Sequence, residues 1–273
     1  MSFSYEQSIW GKGKASLQWS SPTSFRLRQA CEAIASLKAG AKVLEIGCGA
    51  GQFIRAIQKI HPEFECYGVD ISRQAIEFAK TNNDGVTYAL NEPYQFSYED
   101  ATFDAVLIFD VLEHVADPGK LLTEVRRVLK NNGILYAFVP CEGDWLSLWQ
   151  MLDTVHLKRD LTQKYAGHIQ FFSRKQLQNL FIQKKFEISK LRYSEHLLGQ
   201  FLGVVVFSLM DRAAHQQGIK QLNNETYFEK QSPRRFVKVI KNIVNSLVYL
   251  ESTLFSRLPS PNVHLVARKS AST

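Results

Sequence analysis

The chain has 273 residues, 45% of them hydrophobic and 22% charged, which excludes a disordered or fibrous protein and suits one large α/β domain with an elaboration, or two domains. The net charge of +7 is uneven: residues 1–155 hold 14 Lys and Arg against 19 Asp and Glu, and residues 156–273 hold 19 against 7. A basic half suits nucleic acid, anionic lipid or a phosphorylated substrate, and no recognised nucleic-acid module accompanies it.

Residues 1–20 are aromatic and polar, with Tyr5, Trp10 and Trp19 around a flexible Gly11-Lys12-Gly13-Lys14 link. No basic segment leads into an apolar run, so no secretory signal is read. A helix is expected over 23–38, with Thr23 or Ser24 as N-cap and Phe25, Leu27, Ile34 and Leu37 inward. Residues 42–51, Lys-Val-Leu-Glu-Ile-Gly-Cys-Gly-Ala-Gly, read as a buried parallel strand turning tightly into helix 52–60, which His61-Pro62 ends. Glycine on alternate positions lets a ligand lie directly against the main chain. Phe64 to Val69 is a second strand ending at Asp70, followed by helix 72–82 and a third strand, Val86 to Leu90. Ala105 to Phe109 is apolar throughout, as a strand covered on both faces must be, and ends at Asp110. A helix from Pro118 follows, and Asn132-Gly133 turns the chain into a fifth strand, Ile134 to Val139. The four cysteines, Cys31, Cys48, Cys66 and Cys141, have no metal-ligand or disulfide spacing, so a reducing cytoplasm is the default compartment.

Two ligand classes use such a glycine turn. Dinucleotide-binding folds want Gly-x-Gly-x-x-Gly, but here Gln52 stands where the third glycine would be, and Glu45 suits a cationic or amino-bearing ligand better than a pyrophosphate. Glu45 followed by Gly47-x-Gly49-x-Gly51 resembles the first motif of class I S-adenosylmethionine-dependent methyltransferases. Asp70, about 20 residues on, lies where an acid accepts both hydrogen bonds of a ribose diol; its alternative is a helix N-cap. The run Phe-Asp-Ala-Val-Leu-Ile-Phe-Asp-Val-Leu-Glu-His-Val (103–115) resembles the fourth motif of the same family, in particular its ubiquinone O-methyltransferase-like subgroup.

The resemblance covers roughly 40–192 plus a last strand near 262–268. It implies an α/β fold: a doubly wound, mostly parallel, seven-stranded Rossmann-like sheet with a helical insertion before the last strand. The expected divisions are an N-terminal lid or arm and helix (1–40), a cofactor-binding core (41–194), a helical insertion (195–261) and a final strand and tail (262–273). It implies S-adenosylmethionine as cofactor, held by Glu45, Gly47, Gly49, Gly51, Asp70 and Ile71, with Asn91 and Asp110 as weaker contacts. No metal is implied.

Beyond the fifth strand, 144–152 reads as an apolar helix containing Trp145 and Trp149, followed by a basic loop, His156 to Lys164. Tyr-Ala-Gly-His-Ile-Gln-Phe-Phe-Ser (165–173) resembles the family's element opening the next helix, 174–184, with Ser173 as N-cap. Methyl transfer mainly needs alignment, but a hydroxyl acceptor gains from a base with pKa near 7. His168 and His114 are the imidazoles nearest the expected cleft, as base or acceptor contact, or simply as residues fixing a loop. After a sixth strand, Phe186 to Tyr193, Leu197 to Met210 is apolar but short of the about 20 residues a spanning helix needs. The helix expected at 234–258 is amphipathic, with Arg234, Arg235, Lys238 and Lys241 at its start. These two could meet an anionic membrane or cap a lipid-binding cleft, or form a hairpin over the sheet or at a dimer interface.

The expected function is methyl transfer to an oxygen of a small-molecule or lipid-like acceptor, in the cytoplasm or at the inner face of a membrane. A nicotinamide-dependent oxidoreductase and a non-catalytic membrane-surface or assembly factor are the alternatives. Nucleic acid is disfavoured, because Asp110-Val111-Leu112-Glu113 stands where amino-methylating DNA enzymes carry Asn-Pro-Pro-Tyr. Oligomeric state is not legible.

Overall fold

Successive residues of a strand leave the sheet on opposite sides, and in the central strands both sides are buried. The computed structural model, which describes residues 9–18, 20–154, 160–217 and 235–270, shows why. Its seven strands are β1 (Lys42–Ile46), β2 (Glu65–Asp70), β3 (Thr87–Leu90), β4 (Phe103–Phe109), β5 (Leu129–Pro140), β6 (Phe186–Ser194) and β7 (Asn262–Lys269). They form one sheet in the order β3-β2-β1-β4-β5-β7-β6, parallel except that β7 runs antiparallel to both its neighbours.

Val43, Ala105, Leu107, Tyr136 and Phe138 face one core, with α1 (Pro22–Ile34), α2 (Gln52–Ile60) and α3 (Arg73–Lys80) over them. Leu44, Val106, Ile108, Leu135 and Ala137 face the other, under α4 (Pro118–Val128) and α7 (Arg174–Gln183). Truncating a fully buried leucine such as Leu107 to alanine would cost about 2–5 kcal/mol, a large part of a domain's stability. The apolar runs are therefore accounted for by the fold alone, and function must be sought in the polar residues at the strand ends.

Local signals differ from expectation in four places. Ser21, not Thr23 or Ser24, caps α1, accepting from the Ser24 N–H with Pro22 in the first turn. β5 begins at Leu129, which pairs with Phe103, and Asn132 at φ +61° lies within it, where the register shifts before Ile134 joins Ala105. Residues 144–147 are a turn held by the Asp144 carboxylate, which accepts from Leu146 N–H and Arg174, so α5 is confined to Leu148–Thr154 and Trp145 is 73% exposed. α8 (Leu197–Gln217) is longer than its apolar stretch implied: Leu197–His215 is long and apolar enough to cross a membrane by length and composition, and only 17% of its apolar window is buried. The basic-loop residues 156–159, together with Tyr5, Trp19 and Arg234, lie outside the described residues. Ser173 caps α7 as expected, in a reciprocal box with Gln176.

Among the described residues the insertion contains α8 and α9 (Arg235–Phe255), and α9 packs on α1. Tyr249 meets Phe25 edge-on at 6.1 Å. Glu251 of α9 accepts the Leu198 and Gly199 N–H groups, placing a carboxylate on the otherwise unsatisfied N-terminus of α8. α6 (Asp160–Tyr165) joins through Asp211, which accepts from Lys164 and the Tyr165 hydroxyl.

His264 of β7 is buried between the Tyr136 hydroxyl (2.8 Å) and Ser194 Oγ (2.9 Å). Burial, then the positive charge of Arg26, push its pKa well below the usual histidine value. The unfolded chain takes up a proton near pH 6.5 and the folded chain does not, so this stability is full above that pH and is lost as pH falls below it. Urea unfolding should show wild type losing about 1.4 kcal/mol more than His264→Gln between roughly pH 7.5 and 5.5; equal losses would refute the assignment.

Candidate functional site

The strand order reverses direction between β1 and β4, and in such sheets a crevice opens beyond the carboxyl ends at that point. Gly47, Gly49 and Gly51 all lie there at positive φ, a region costly for other residues. A side chain at Gly49 would strike the carbonyl oxygen of Trp10, to which Ala50 N–H donates at 2.7 Å. The described part of the N-terminal segment is thus laid on the glycine turn, with Trp10 and Gly11 on the cavity wall.

Asp70, at the end of β2, ties this edge together. Its Oδ2 accepts from Gly49 N–H at 2.7 Å and its Oδ1 from Ser72 N–H at 2.8 Å. It is not the N-cap of α3, since Ser72 fills that role with its own side chain. Ile71 is half-exposed, and it lines the cavity beside Asn91, whose N–H donates to the Asp70 carbonyl. Glu45 also lines the cavity but is committed in part. Its Oε2 accepts the Ile54 N–H at 2.7 Å, satisfying one of the open donors in the first turn of α2. Burial raises its pKa well above the ordinary, the Ile54 bond opposing this and the charge of Asp70 adding to it.

Asp110, with φ +50°, is held by Arg26 of α1, whose guanidinium donates to it at 2.7 Å and to Glu195 at 2.9 Å while stacking on Phe138. Burial raises the Asp110 pKa and Arg26 opposes the rise. Arg26, for its part, stays charged: burial lowers its pKa, but the two carboxylates outweigh that.

Next to it the two expected imidazoles meet, with ring centroids 4.9 Å apart. The loop bearing His168 is pinned because Ile169 and Gln170 N–H both donate to the Glu113 carbonyl. His168 Nδ1 lies 3.0 Å from the Glu142 carboxylate. Burial alone would lower the His168 pKa, but Glu142, then Glu113 and Asp110, raise it to about 9. His114 faces the reverse balance: burial, then the nearby charge of His168, lower it to about 3. Its Nδ1 lies 3.2 Å from the Gly167 carbonyl, and only a protonated Nδ1 can bond there, so Nε2 carries the lone pair. Glu113 is fully buried, and burial followed by the Asp110 charge raises its pKa to about 8. Glu113, His114 and His168 each present one ligand atom within 4.8 Å of the others. Cysteine spacing gave no hint of such a group, because its members are brought together by the fold.

Apart from the fully buried Glu113, these acids and imidazoles border one cavity of about 960 Å³, at the upper end of ligand-pocket sizes. Its remaining wall is mainly apolar, with Trp149, with Leu202, Val206 and Phe207 of α8 and with Val244 and Val248 of α9, among a few polar groups such as Gln200, Lys241 and Asn245. The cavity therefore touches every expected site residue except the turn's last glycine, Gly51, which abuts Tyr88 instead. Sequence reasoning missed Arg26, Glu142 and Glu195; each lies in a different segment, and no local pattern marks any of them.

Residues 23–191 match the family model described as "Methyltransferase domain". An uncharacterized 37.1 kDa protein in transposon TN4556 of Streptomyces fradiae is 34% identical over 134 residues, 48% of this chain and 37% of that protein. The ubiquinone biosynthesis O-methyltransferase of Caulobacter vibrioides is 32% identical over 108 residues, 36% of this chain and 40% of that one. The chain thus spans well under half the length of these relatives. Among solved structures, the cyclase SpnF aligns with a TM-score of 0.59 at 18% identity, over 96% of this chain and 84% of that one, a likeness of fold. With its seven-stranded sheet and glycine turn, the chain belongs to the methyltransferase-domain family, of the class I Rossmann-like fold whose cofactor is S-adenosylmethionine.

Proposed function

We propose that this chain transfers a methyl group from S-adenosylmethionine to an oxygen of a small-molecule or lipid-like acceptor. The observation that carries the reading is the continuity of the cavity. One space is lined by the glycine turn and Asp70, by His114 and His168, and by the apolar inner sides of α8 and α9.

The cofactor, when bound, supplies a methyl group already activated on a sulfonium. The protein's own work is binding and alignment. Gly47 and Gly49 leave main chain open to the ligand. Asp70 lies at the ribose end of this reading, its carboxylate fixed in orientation by the Gly49 and Ser72 N–H groups. Ile71 offers an apolar surface to the base and Asn91 a polar edge. Glu45 and Asp110 offer carboxyl oxygens toward the amino-bearing end. The apolar wall excludes water and suits the body of an acceptor, with His114 and His168 at its reacting oxygen. The alternative of a dinucleotide ligand fits less well, because Glu45 stands at the turn where a pyrophosphate would lie and Gln52 replaces the third glycine.

The outer sides of α8 and α9 extend the reading to a membrane surface. Leu197, Phe201, Val205 and Leu209, at steps of four, form an exposed stripe on α8, and Ile243, Leu247, Leu250 and Leu254 are exposed on α9. Such rows exceed the scattered apolar residues normal for a soluble surface. With the basic C-terminal half, they favour docking at an anionic leaflet from which a lipid-like acceptor would enter.

Asp70→Ala removes two charge-assisted hydrogen bonds to the ribose and should weaken S-adenosylmethionine binding by about 100-fold or more in calorimetric titration. Gly49→Val should do the same through strain and collision with Trp10, circular dichroism showing the sheet retained in both. Normal affinity in Asp70→Ala, or saturable NAD binding in its place, would refute the reading. In flotation assays, the wild type should bind phosphatidylglycerol vesicles better than phosphatidylcholine vesicles, and Leu197→Glu with Phe201→Glu should abolish that binding. Equal recovery of wild type and double variant would remove the membrane part.

A further inference from the structure

Where α5 meets α8, the fold leaves two buried polar groups on the cavity wall without partners. Ser147, in the turn before α5, is 1% exposed and lines the cavity, and its Oγ makes no hydrogen bond among the described residues. Gln200, on the inner side of α8, is 8% exposed and lines the same cavity. Its Oε1 accepts the N–H of Leu148, the residue next to Ser147, at 2.8 Å. That bond fixes the side-chain amide and leaves its NH₂ as a donor with no partner among the described residues. Interiors seldom leave such groups unmet, and in binding cavities a few of them fix a ligand's orientation.

Gly203 lies about one turn further along α8 and also lines the cavity. Glycine weakens a helix interior, so its presence there calls for a reason. Gly199 has one: a Cβ there would crowd Glu195 Cβ at 2.6 Å and Val248 of α9 at 3.2 Å, so the helices pack on its bare main chain. Gly203 has none within the chain. Its φ lies outside the left-handed region, and a Cβ there would meet no atom of the described residues within 4 Å. The room it leaves belongs to the cavity, on the same wall as the polar pair and as the rings of Trp149 and Phe207, which meet edge-on at 5.7 Å.

We propose that Ser147 and Gln200 recognise a second, non-reacting oxygen on the methyl acceptor, and that Gly203 sets the width open to the acceptor's body beside it. The Gln200 NH₂ donates to that oxygen, while the Ser147 hydroxyl can donate or accept, so a hydroxyl or a carbonyl satisfies both. Neither residue is charged, so a neutral oxygen suits the pair better than a phosphate or carboxylate, which binds most strongly to a cation. Lys241 of α9 also lines the cavity but is exposed, and so serves its rim rather than this buried pair. A wall built to hydrogen-bond an oxygen rejects the analogue lacking it far more sharply than an apolar wall rejects a methylene, because its own polar groups are then left unpaired. The inference deepens the proposed methyl transfer and rests on it only for the identity of this ligand as the acceptor.

The test reads binding and requires no methyl transfer. The full chain is titrated, by tryptophan fluorescence or calorimetry, with decan-1-ol and with decane-1,2-diol, decane-1,4-diol and decane-1,8-diol, so that the spacing of the two oxygens is sampled. At least one diol should bind wild type about 10-fold or more tighter than decan-1-ol, against the order that apolar burial alone would give. Ser147→Ala and Gln200→Met should each cut that preference to about twofold or less, and Gly203→Leu should weaken every probe by about 10-fold or more. Thermal melts separate recognition from structure. The Ser147 hydroxyl bonds to nothing in the protein and a Cβ at Gly203 collides with nothing, so Ser147→Ala and Gly203→Leu should hold or raise the melting temperature while losing affinity. Should Gln200→Met melt early through loss of the Leu148 bond, Ser147→Ala decides. No preference for any diol in wild type, or a preference kept in Ser147→Ala, overturns the oxygen subsite, and unchanged affinities in Gly203→Leu overturn the width role. S-adenosylmethionine titration of the same samples separates the two readings. Cofactor binding with no diol preference defeats this subsite alone, and diol preference without cofactor binding defeats the methyl-transfer reading alone.

Discussion

β1 and β4 lie side by side in the sheet although some 60 residues of chain separate them, and the structure depends on that adjacency. The chain winds one way through β1, β2 and β3, returns to the middle, and winds the other way through β4 and β5. No helix can cover the carboxyl ends of both central strands at the reversal, so a crevice opens there. Glu45 and Asp110 come from the two strands flanking it, and Asp70 comes from the strand next to β1. The acids that sequence reading collected from three separate stretches are one edge of one sheet. Their closeness follows from parallel pairing in register, Ile46 with Val69 and Ile46 with Ile108.

The first half of the chain was largely legible because its signals are local. A parallel strand covered on both faces must be apolar at consecutive positions, and a strand that turns at once into a helix against a ligand must do so on glycine. The run 103–115 and the turn 47–51 satisfy both demands in one line of text. Asp70 was legible for a related reason: the length of one helix and two turns fixes how far along the chain the next strand end must fall. Helix starts were read less well. Ser21 and Thr23 are equally good capping residues on paper, and only the position of Pro22 in the first turn separates them.

The second half is written in contacts between distant segments, which spacing does not encode. Arg26 belongs to the first helix, yet it neutralises Asp110 and Glu195, 84 and 169 residues away. On a helical wheel it is an ordinary surface arginine. Glu142 follows a strand and carries no motif; it matters because His168 is folded back onto it. The stripe on α8 was visible as composition, but its exposure was not, since an apolar helix looks the same whether it is covered or bare. What decides is the neighbour it meets, and α5, α6 and α9 leave one side of α8 uncovered.

The two halves of the cavity therefore carry different amounts of information about the reaction. In the proposed reading the glycine turn and Asp70 hold a nucleoside and say little about what becomes of it; the fold-level likeness to a cyclase makes the same point, because a shared scaffold is no guide to the bond that is made. The other side holds two imidazoles and two carboxylates, three of the four buried and the fourth, His114, only partly exposed, beside a mainly apolar wall. A low-dielectric wall strengthens every charge beside it, so the charges of this cluster act more strongly there than they would in water. Burial of Glu113 costs folding energy that an apolar residue at the same place would not. That cost is borne beside His114 and His168 on the cavity wall, so what sets this cavity apart lies in the cluster around Glu113 as well as in the turn by which its family is known.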